Sequence, residues 1–198
     1  MRLGYVRHME NPFFTPLDQS LFESRIVQIS GSVGSQLAHL VNKQILSMAA
    51  ADSKKPIYLF INSPGGEVTS GFSIYDTARF VEPEIYTVAV GLAASMGSLM
   101  ALAAPPECRF AFPNAKFLIH QPLIGGVIQG SASDIAIHAK DIVATRDKIN
   151  HLYAAETGRS FEEVQEATDR DNWMDVEEAK EFGLISKVIC SISELPGA

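Results

Sequence analysis

A serine within a run of small residues has the clearest chemical potential in this sequence. Ser95 lies in the segment GLAASMGS, residues 91–98, between an apolar run that predicts a buried strand and a small-residue apolar helix. A serine at such a corner points its hydroxyl outward, and the helix N-terminus offers free N–H groups beside it. A serine nucleophile also needs a base, a group that orients the base, and donors for the oxyanion. The segment predicts acyl transfer if the chain supplies all three.

His120 is the best candidate for the base. It ends a strand predicted over residues 117–120 and is followed by Gln121 and Pro122. This placement is at the carboxyl edge of a parallel sheet, where open α/β folds build their sites. A lone histidine of this kind is more often structural, so the assignment depends on the other motifs. We assign no chemistry to the remaining histidines, which lie in the N-terminal segment or in helical patterns: His8, His39, His138 and His151.

The orienting carboxylate has two candidates in one short connection. Asp169 and Asp171 both belong to the segment DRDN, residues 169–172, between two predicted helices. A loop held between two helices can present a fixed carboxylate. The local pattern does not choose between the two residues.

The turn Ser63-Pro64-Gly65-Gly66 is a candidate source of oxyanion donors. It follows a predicted buried strand, and its glycines let backbone N–H groups face a ligand without interference from a Cβ atom. The alternative interpretation, a turn without a binding role, is about equally favoured by the turn alone.

Alternating apolar runs and helical patterns predict the elements that position these residues. Five strands, with helices between most of them, indicate a single α/β domain with a largely parallel sheet. Residues 1–20 have no period and are predicted to form a loop or a partner contact. The strands are predicted over residues 25–30, 57–61, 85–90, 117–120 and 184–189. The helices are predicted from Ser35 as N-cap, over 69–81, from near Ser95, over 132–156, and after capping boxes that begin at Ser160 and Asp175.

Composition excludes several classes of function. The chain has 198 residues and a net charge of −7, and its basic residues are scattered, which argues against a nucleic-acid partner. Cys108 and Cys190 are far apart and lack metal-ligand spacing, so we expect no disulfide framework and no metal site. We find no apolar run long enough for a signal peptide or a membrane span. The expected protein is cytoplasmic, acts away from membranes and has no cofactor.

Four motifs occur in an order that matches a known family. They are INSPGG at residues 61–66, AASMG at 93–97, IHQP at 119–122 and DRDN at 169–172. Together they resemble the proteolytic subunit of the Clp protease, a family of serine peptidases, and the similarity runs over residues 26–189. Four separated motifs in the right order are far more specific than one serine-containing turn.

The resemblance assigns roles to individual residues. It implies Ser95 as the nucleophile, His120 as general base and then general acid, and Asp171 as the group that orients His120. It also implies that the backbone N–H groups of Gly66 and Met96 form the oxyanion hole.

The resemblance further implies an architecture and partners. The fold would be a crotonase-like single domain, with an N-terminal arm at residues 1–22, a head at 23–124 and 157–192, and a protruding handle helix at 125–156. Two heptameric rings, 14 subunits of one type or shared with a second proteolytic subunit, would enclose a chamber. A partner AAA+ ATPase would unfold polypeptide substrates. The chain has no GxxxxGK[ST] phosphate loop, so ATP dependence would come from that partner.

The family pattern also implies hydrophobic pockets that receive loops of the ATPase, although ordinary core aromatics would give the same pattern. The residues concerned are Tyr58, Phe60, Phe80, Phe110 and Phe112. Two functions compete with an ATP-dependent serine endopeptidase. One is an inactive or conditionally active paralogue that assembles with another subunit. The other is a crotonase-type acyl-CoA enzyme, which would not need the Ser-His-Asp set.

Overall fold

A computed structural model describes residues 15–123 and 129–197 of the chain. Most of the predicted arm, up to residue 14, lies outside the described residues. So does the stretch 124–128, which includes the glycines at the start of the predicted handle.

One sheet of seven strands forms the centre of the described structure. The order β1-β2-β3-β4-β7 is parallel throughout, β5 also pairs with β3 in parallel, and β5 and β6 are antiparallel. The inward residues Ile57, Leu59 and Ile61 of β2 are fully buried, as expected for a strand covered by helices. The predicted α/β class with a largely parallel sheet is confirmed. The strands are β1 (Ile26–Ser30), β2 (Ile57–Ser63), β3 (Ile85–Ala94), β4 (Arg109–Ala111), β5 (Lys116–Ile119), β6 (Asn172–Met174) and β7 (Lys187–Val188).

Seven α-helices lie in the same described ranges. In these ranges, none of the helices has both the length and the hydrophobicity needed to cross a bilayer. The helices are α1 (Pro16–Glu23), α2 (Ser35–Ala51), α3 (Val68–Phe80), α4 (Met96–Ala101), α5 (Ala132–Thr157), α6 (Phe161–Thr168) and α7 (Val176–Phe182).

The prediction of a loop up to residue 20 is wrong over its last residues, because α1 begins at Pro16. Thr15 caps this helix: its side chain accepts from Asp18 N at 3.2 Å, and the Asp18 carboxylate accepts from Thr15 N at 2.8 Å. Pro16 at the first helical position needs no acceptor for a backbone N–H. Reciprocal capping therefore starts a helix in a segment without an apolar period.

The strand predicted over residues 85–90 is too short, because β3 continues to Ala94. Residues 92–94 pair with β5, and Asn62 Oδ1 accepts from Leu92 N at 3.0 Å where the register of β2 and β3 shifts. The strands β4 and β6 were not predicted, and β7 is shorter than the predicted strand. The serine corner therefore follows the strand without an intervening loop.

Helix caps were predicted with mixed success. The capping boxes at Ser160 and Asp175 are confirmed, and Gly158 ends α5 in the left-handed conformation at φ 74°. Ser35 is not an N-cap, because Gly34 takes that place and Ser35 is the first helical residue. Local sequence thus located the helix starts whose capping boxes end in Glu, at α6 and α7, and missed the Thr15–Asp18 box of α1.

The helix α5 divides into an exposed half and an anchored half. Residues 131–140 are all exposed, including Ile135 and Ala139 of the predicted apolar stripe. Its buried residues are Ile149, Asn150 and Tyr153 in the C-terminal part, where the Glu156 carboxylate also pairs with the fully buried Arg109 guanidinium. The predicted stripe therefore meets this chain's own core only near the end of the helix.

Candidate active site

Ser95 occupies a strained backbone corner between β3 and α4. Its φ of 54° and ψ of −121° are unusual for a residue with a side chain, and such conformations persist only where the surroundings fix them. Ser95 N donates to Leu118 O at 2.8 Å, and Ser95 O accepts from Leu99 N at 3.2 Å. The backbone of β5 and the first turn of α4 therefore hold the corner from both sides.

The two glycines of the predicted turn pack closely, Gly65 against this corner and Gly66 against Val33. A Cβ added to Gly65 would lie 2.6 Å from Ser95 Cβ and 2.8 Å from Met96 N. A Cβ added to Gly66 would lie 2.2 Å from Val33 O. The described residues provide no hydrogen-bond acceptor for the backbone N–H of Gly66 or of Met96. Among the described residues, the N–H next to Ser95 in the chain and the N–H next to the closely packed Gly65 are thus both without an acceptor.

The structure brings His120 and Asp171 together across an antiparallel strand pair. Ile119 of β5 is paired with Asn172 of β6, so their neighbours His120 and Asp171 face each other. His120 Nδ1 is 3.1 Å from Asp171 Oδ1. Because an ionised carboxylate only accepts hydrogen bonds, Nδ1 carries the proton, and Nε2 of the neutral ring is free to accept. His120 is 14% exposed and Asp171 is 64% exposed.

Asp169, the other candidate carboxylate, has a different neighbour. Gln121 Nε2 donates to its backbone oxygen at 2.8 Å, and its side chain is 3.6 Å from the exposed Arg170 guanidinium. Of the two acidic residues left open by the local pattern, Asp171 is the one whose carboxylate contacts His120.

Ser95 and His120 line one small cavity. Within the described part of the chain, no hydrogen bond joins the Ser95 hydroxyl to His120, although both residues line this cavity. The other residues of its lining are predominantly apolar: Val68, Met96, Leu99, Pro122, Ile149 and Tyr153. An apolar group bound beside Ser95 would fit this lining.

Two residues beneath the corner, Ser98 and Tyr153, were not assigned by the sequence analysis. Ser98 Oγ is 2.7 Å from Ser95 O and 2.6 Å from Tyr153 Oη. Ser98 follows Ser95 by three residues, which places both on one helix face, and that spacing was an available signal. Tyr153 had a weaker signal, because only its position on α5 next to the apolar Leu152 indicated burial.

The candidate ATPase-pocket residues fall into two groups. Four of them form a group that we call the aromatic face, in which Tyr58 and Phe110 are buried, Phe60 is partly buried and Phe112 is 37% exposed: Tyr58, Phe60, Phe110 and Phe112. Tyr86, which the sequence analysis did not include, links this face by stacking on Tyr58 at 5.5 Å and on Phe110 at 6.0 Å, and Phe60 meets Phe112 edge-on at 6.3 Å.

Phe80 is separate from these ring contacts. It ends α3 and is 82% exposed. The structure therefore groups four of the five aromatics and leaves Phe80 as an exposed side chain without a ring contact to them among the described residues.

A comparison with protein families gives an independent result. The family model described as Clp protease matches residues 11–191, which include the Ser95 corner, the glycine turn and the His120–Asp171 pair. The match covers far more than half of the chain and agrees with the mostly parallel α/β fold. The chain belongs to the Clp protease family and is a Clp-type peptidase.

Proposed function

We propose that this chain is a serine endopeptidase subunit in which Ser95 is the nucleophile, His120 the base and Asp171 the group that orients the base. The observation that carries the proposal is the His120 Nδ1–Asp171 Oδ1 hydrogen bond at 3.1 Å, beside a cavity that His120 shares with Ser95. This arrangement supplies a nucleophile, a base and an orienting carboxylate within one site.

In the proposed reaction, Ser95 Oγ attacks the carbonyl carbon of a peptide bond. His120 Nε2 takes the hydroxyl proton and then gives it to the leaving amine, which forms an acyl-enzyme on Ser95. Water, deprotonated by His120, releases the acyl group and restores Ser95. Asp171 keeps the Nδ1–H tautomer and stabilises the imidazolium that forms in each half of the reaction.

The oxyanion of the tetrahedral intermediate would be bound by Gly66 N–H and Met96 N–H. Both groups lack an acceptor among the described residues; Met96 directly follows Ser95, and Gly66 directly follows Gly65, which approaches Ser95 closely. Preorganised donors of this kind typically contribute about 10²- to 10³-fold each to kcat. The apolar lining of the cavity favours apolar substrate side chains next to the cleaved bond.

The subunit would assemble into two heptameric rings, from this chain alone or with a second proteolytic subunit. The exposed half of α5, residues 131–140, supports this proposal because it carries Ile135 and Ile137 on a helix that this chain leaves uncovered. A helix of this kind is stabilised mainly by packing of its apolar side chains against a partner.

A partner AAA+ ATPase would unfold substrates and feed them to the chamber. The aromatic face supports a docking role because Phe112 is 37% exposed and Phe60 is only partly buried, although the two rings contact each other edge-on. Exposed aromatic side chains of this kind are common anchors in protein interfaces.

A second candidate function is a subunit that becomes active only in a complete assembly. The specific observation in its favour is the missing hydrogen bond between Ser95 and His120 in the described chain. A triad whose nucleophile is not hydrogen-bonded to its base requires a further adjustment before it can act. A crotonase-type acyl-CoA enzyme, in contrast, does not agree with membership in a family of peptidases.

The test is labelling of the purified protein with a serine-reactive fluorophosphonate, together with hydrolysis of a short fluorogenic peptide. Ser95→Ala should abolish both signals without changing assembly, and Ser20→Ala, which removes an exposed hydroxyl on α1, should retain both. Cleavage by Ser95→Ala would refute the nucleophile. A wild type that assembles but does not react alone, and reacts when a second proteolytic subunit is added, would favour the conditionally active subunit.

A further inference from the structure

The Ser98 side chain lies at the centre of a buried group of oxygen atoms beneath the Ser95 corner. Its Oγ is 2.7 Å from Ser95 O, 3.0 Å from Leu118 O and 2.6 Å from Tyr153 Oη. Ser98 is fully buried and Tyr153 is 2% exposed, so bulk water does not compete for these contacts. One hydroxyl therefore contacts the nucleophile residue, the strand that leads to His120, and the helix α5.

The direction of these hydrogen bonds follows from the number of available protons. Carbonyl oxygens only accept, so the single Ser98 proton is donated to Ser95 O and Leu118 O, and the Tyr153 hydroxyl donates to Ser98 Oγ. Burial raises the pKa of Tyr153 well above its ordinary value, against an opposing effect of the Ser98 hydrogen bond, so the phenol stays a donor at neutral pH. Successive hydrogen bonds of this kind strengthen one another.

The contacts of Ser98 bear on the alignment of the proposed catalytic residues. Ser95 is in a strained conformation that needs external support. The backbone oxygen of Leu118 accepts hydrogen bonds from Ser95 N–H and from the Ser98 hydroxyl. Leu118 lies only two residues before His120. The Ser98 hydroxyl therefore helps to fix the corner of the nucleophile against the strand of the base.

The helix α5 also reaches the other side of His120. Asn150 Oδ1 accepts from Thr168 Oγ1 at 3.0 Å, and Thr168 O accepts from Gln121 N at 2.7 Å. Tyr153 lies on the same helix, less than one turn further along. The buried half of α5 thus contacts the nucleophile side and the base side of the site through hydrogen bonds.

We propose that Ser98 and Tyr153 are positioning residues that hold the Ser95 corner in alignment with His120 and connect that alignment to α5. The inference rests on the proposed serine peptidase function. The two hydroxyls act through the backbone of Ser95 and Leu118, and neither takes part in bond formation with the substrate.

The test compares Tyr153→Phe and Ser98→Ala with the wild type. Tyr153→Phe removes one oxygen and keeps the ring, so the core stays filled. Misplacement of a reacting group by a fraction of an ångström up to 1 Å lowers turnover by roughly 10- to 100-fold, and we expect this loss in kcat for both variants. We expect KM and the shape of the pH–rate profile to stay unchanged, because the substrate cavity and the titrating groups remain. Fluorophosphonate labelling should slow in parallel with kcat.

The matched control is Tyr75→Phe. Tyr75 is also buried and donates to Glu156 Oε1 at 3.1 Å, so its variant loses the same chemical group away from the Ser95 corner. We expect a similar decrease in melting temperature and an unchanged kcat. The double variant of Ser98 and Tyr153 should lose no more activity than Ser98→Ala alone, because both residues act through one contact.

The inference is overturned if Tyr153→Phe keeps the kcat of the wild type, or if Tyr75→Phe loses as much kcat as Tyr153→Phe. If Ser98→Ala does not fold, Tyr153→Phe alone decides. An active wild type with unaffected variants refutes only the positioning role. A wild type that neither labels nor cleaves, in any assembly, overturns the proposed function and this inference with it.

Discussion

Replacement of Gly65 by Ala tests whether the close approach of the glycine turn sets the position of Ser95. The added Cβ would lie 2.6 Å from Ser95 Cβ, 2.7 Å from Ala94 O and 2.8 Å from Met96 N. Carbon atoms in contact stay roughly 3.5–4.0 Å apart, so the turn and the corner must separate by about 1 Å. A displacement of about 1 Å at reacting groups costs about 10²-fold in rate. We therefore expect kcat to fall by about 10²-fold.

Gly31→Ala is the control that separates crowding from backbone strain. Gly31 has φ 82° and Gly65 has φ 86°, but a Cβ on Gly31 would have no atom within 4 Å. Both variants place alanine in the left-handed region, which costs about 1–2 kcal/mol of stability. Only Gly65→Ala also displaces the corner, so only its kcat should fall strongly.

The assay is peptide hydrolysis and fluorophosphonate labelling on samples whose assembly is matched by sedimentation. Thermal unfolding of each variant measures the common effect of the left-handed backbone. If Gly65→Ala is folded, assembled and as active as Gly31→Ala, then the packing of this turn against Ser95 does not set the catalytic geometry, and the reasoning is refuted.

Two further predictions concern the base and the aromatic face. Asp171→Asn should lower kcat by about 10²-fold or more because the His120 tautomer is no longer fixed. Asp169→Asn, the control, should retain most activity. Equal losses of peptide hydrolysis in the two variants would contradict the assignment. Phe60→Ala with Phe112→Ala should weaken ATPase-dependent degradation of a folded substrate and leave hydrolysis of a short peptide unchanged. Unimpaired degradation by this double variant would argue against docking on that face.

The sequence predicted the elements whose signals are local. The strand β2 is recognisable from a continuous apolar run between Pro56 and the glycine turn, and α6 and α7 from capping boxes that lie within four residues. These features depend on residues that are close in the sequence, so a sequence pattern can reveal them. The same holds for Ser95, because the strand, the corner and the helix are consecutive.

The remaining parts of the site depend on distant contacts. The contact of His120 with Asp171 and not with Asp169 follows from the antiparallel pairing of β5 and β6, which joins residues 51 positions apart. The strand β6 has only three residues, so it has no detectable period. The resemblance to the family had selected Asp171, but the local pattern could not. The hydrogen bond of the Tyr153 hydroxyl could not be predicted either. Helical periodicity indicates which residues are buried, but not which polar atoms they contact.

The helix stripe of α5 shows a different limit. Periodicity predicts an apolar face but does not say which molecule covers it. Ile149 is covered by this chain, whereas Ile135 on the same stripe is 45% exposed. The sequence therefore predicted the helix correctly and could not predict the extent of its burial within one subunit.

Because α5 is anchored at its C-terminal end and exposed at its N-terminal end, a small tilt at the anchored end displaces the exposed end by a larger distance. About 30 Å of helix separates Ala132 from Tyr153, at 1.5 Å per residue. At that length, a tilt of about 2° about the buried end swings the distal end by about 1 Å. A small angular motion of the helix at Tyr153 thus produces a larger displacement at Ala132. In the proposed assembly, a neighbouring subunit that contacts residues near Ala132 would therefore restrict the motion of Tyr153, and through it the proposed nucleophile, without contacting Ser95.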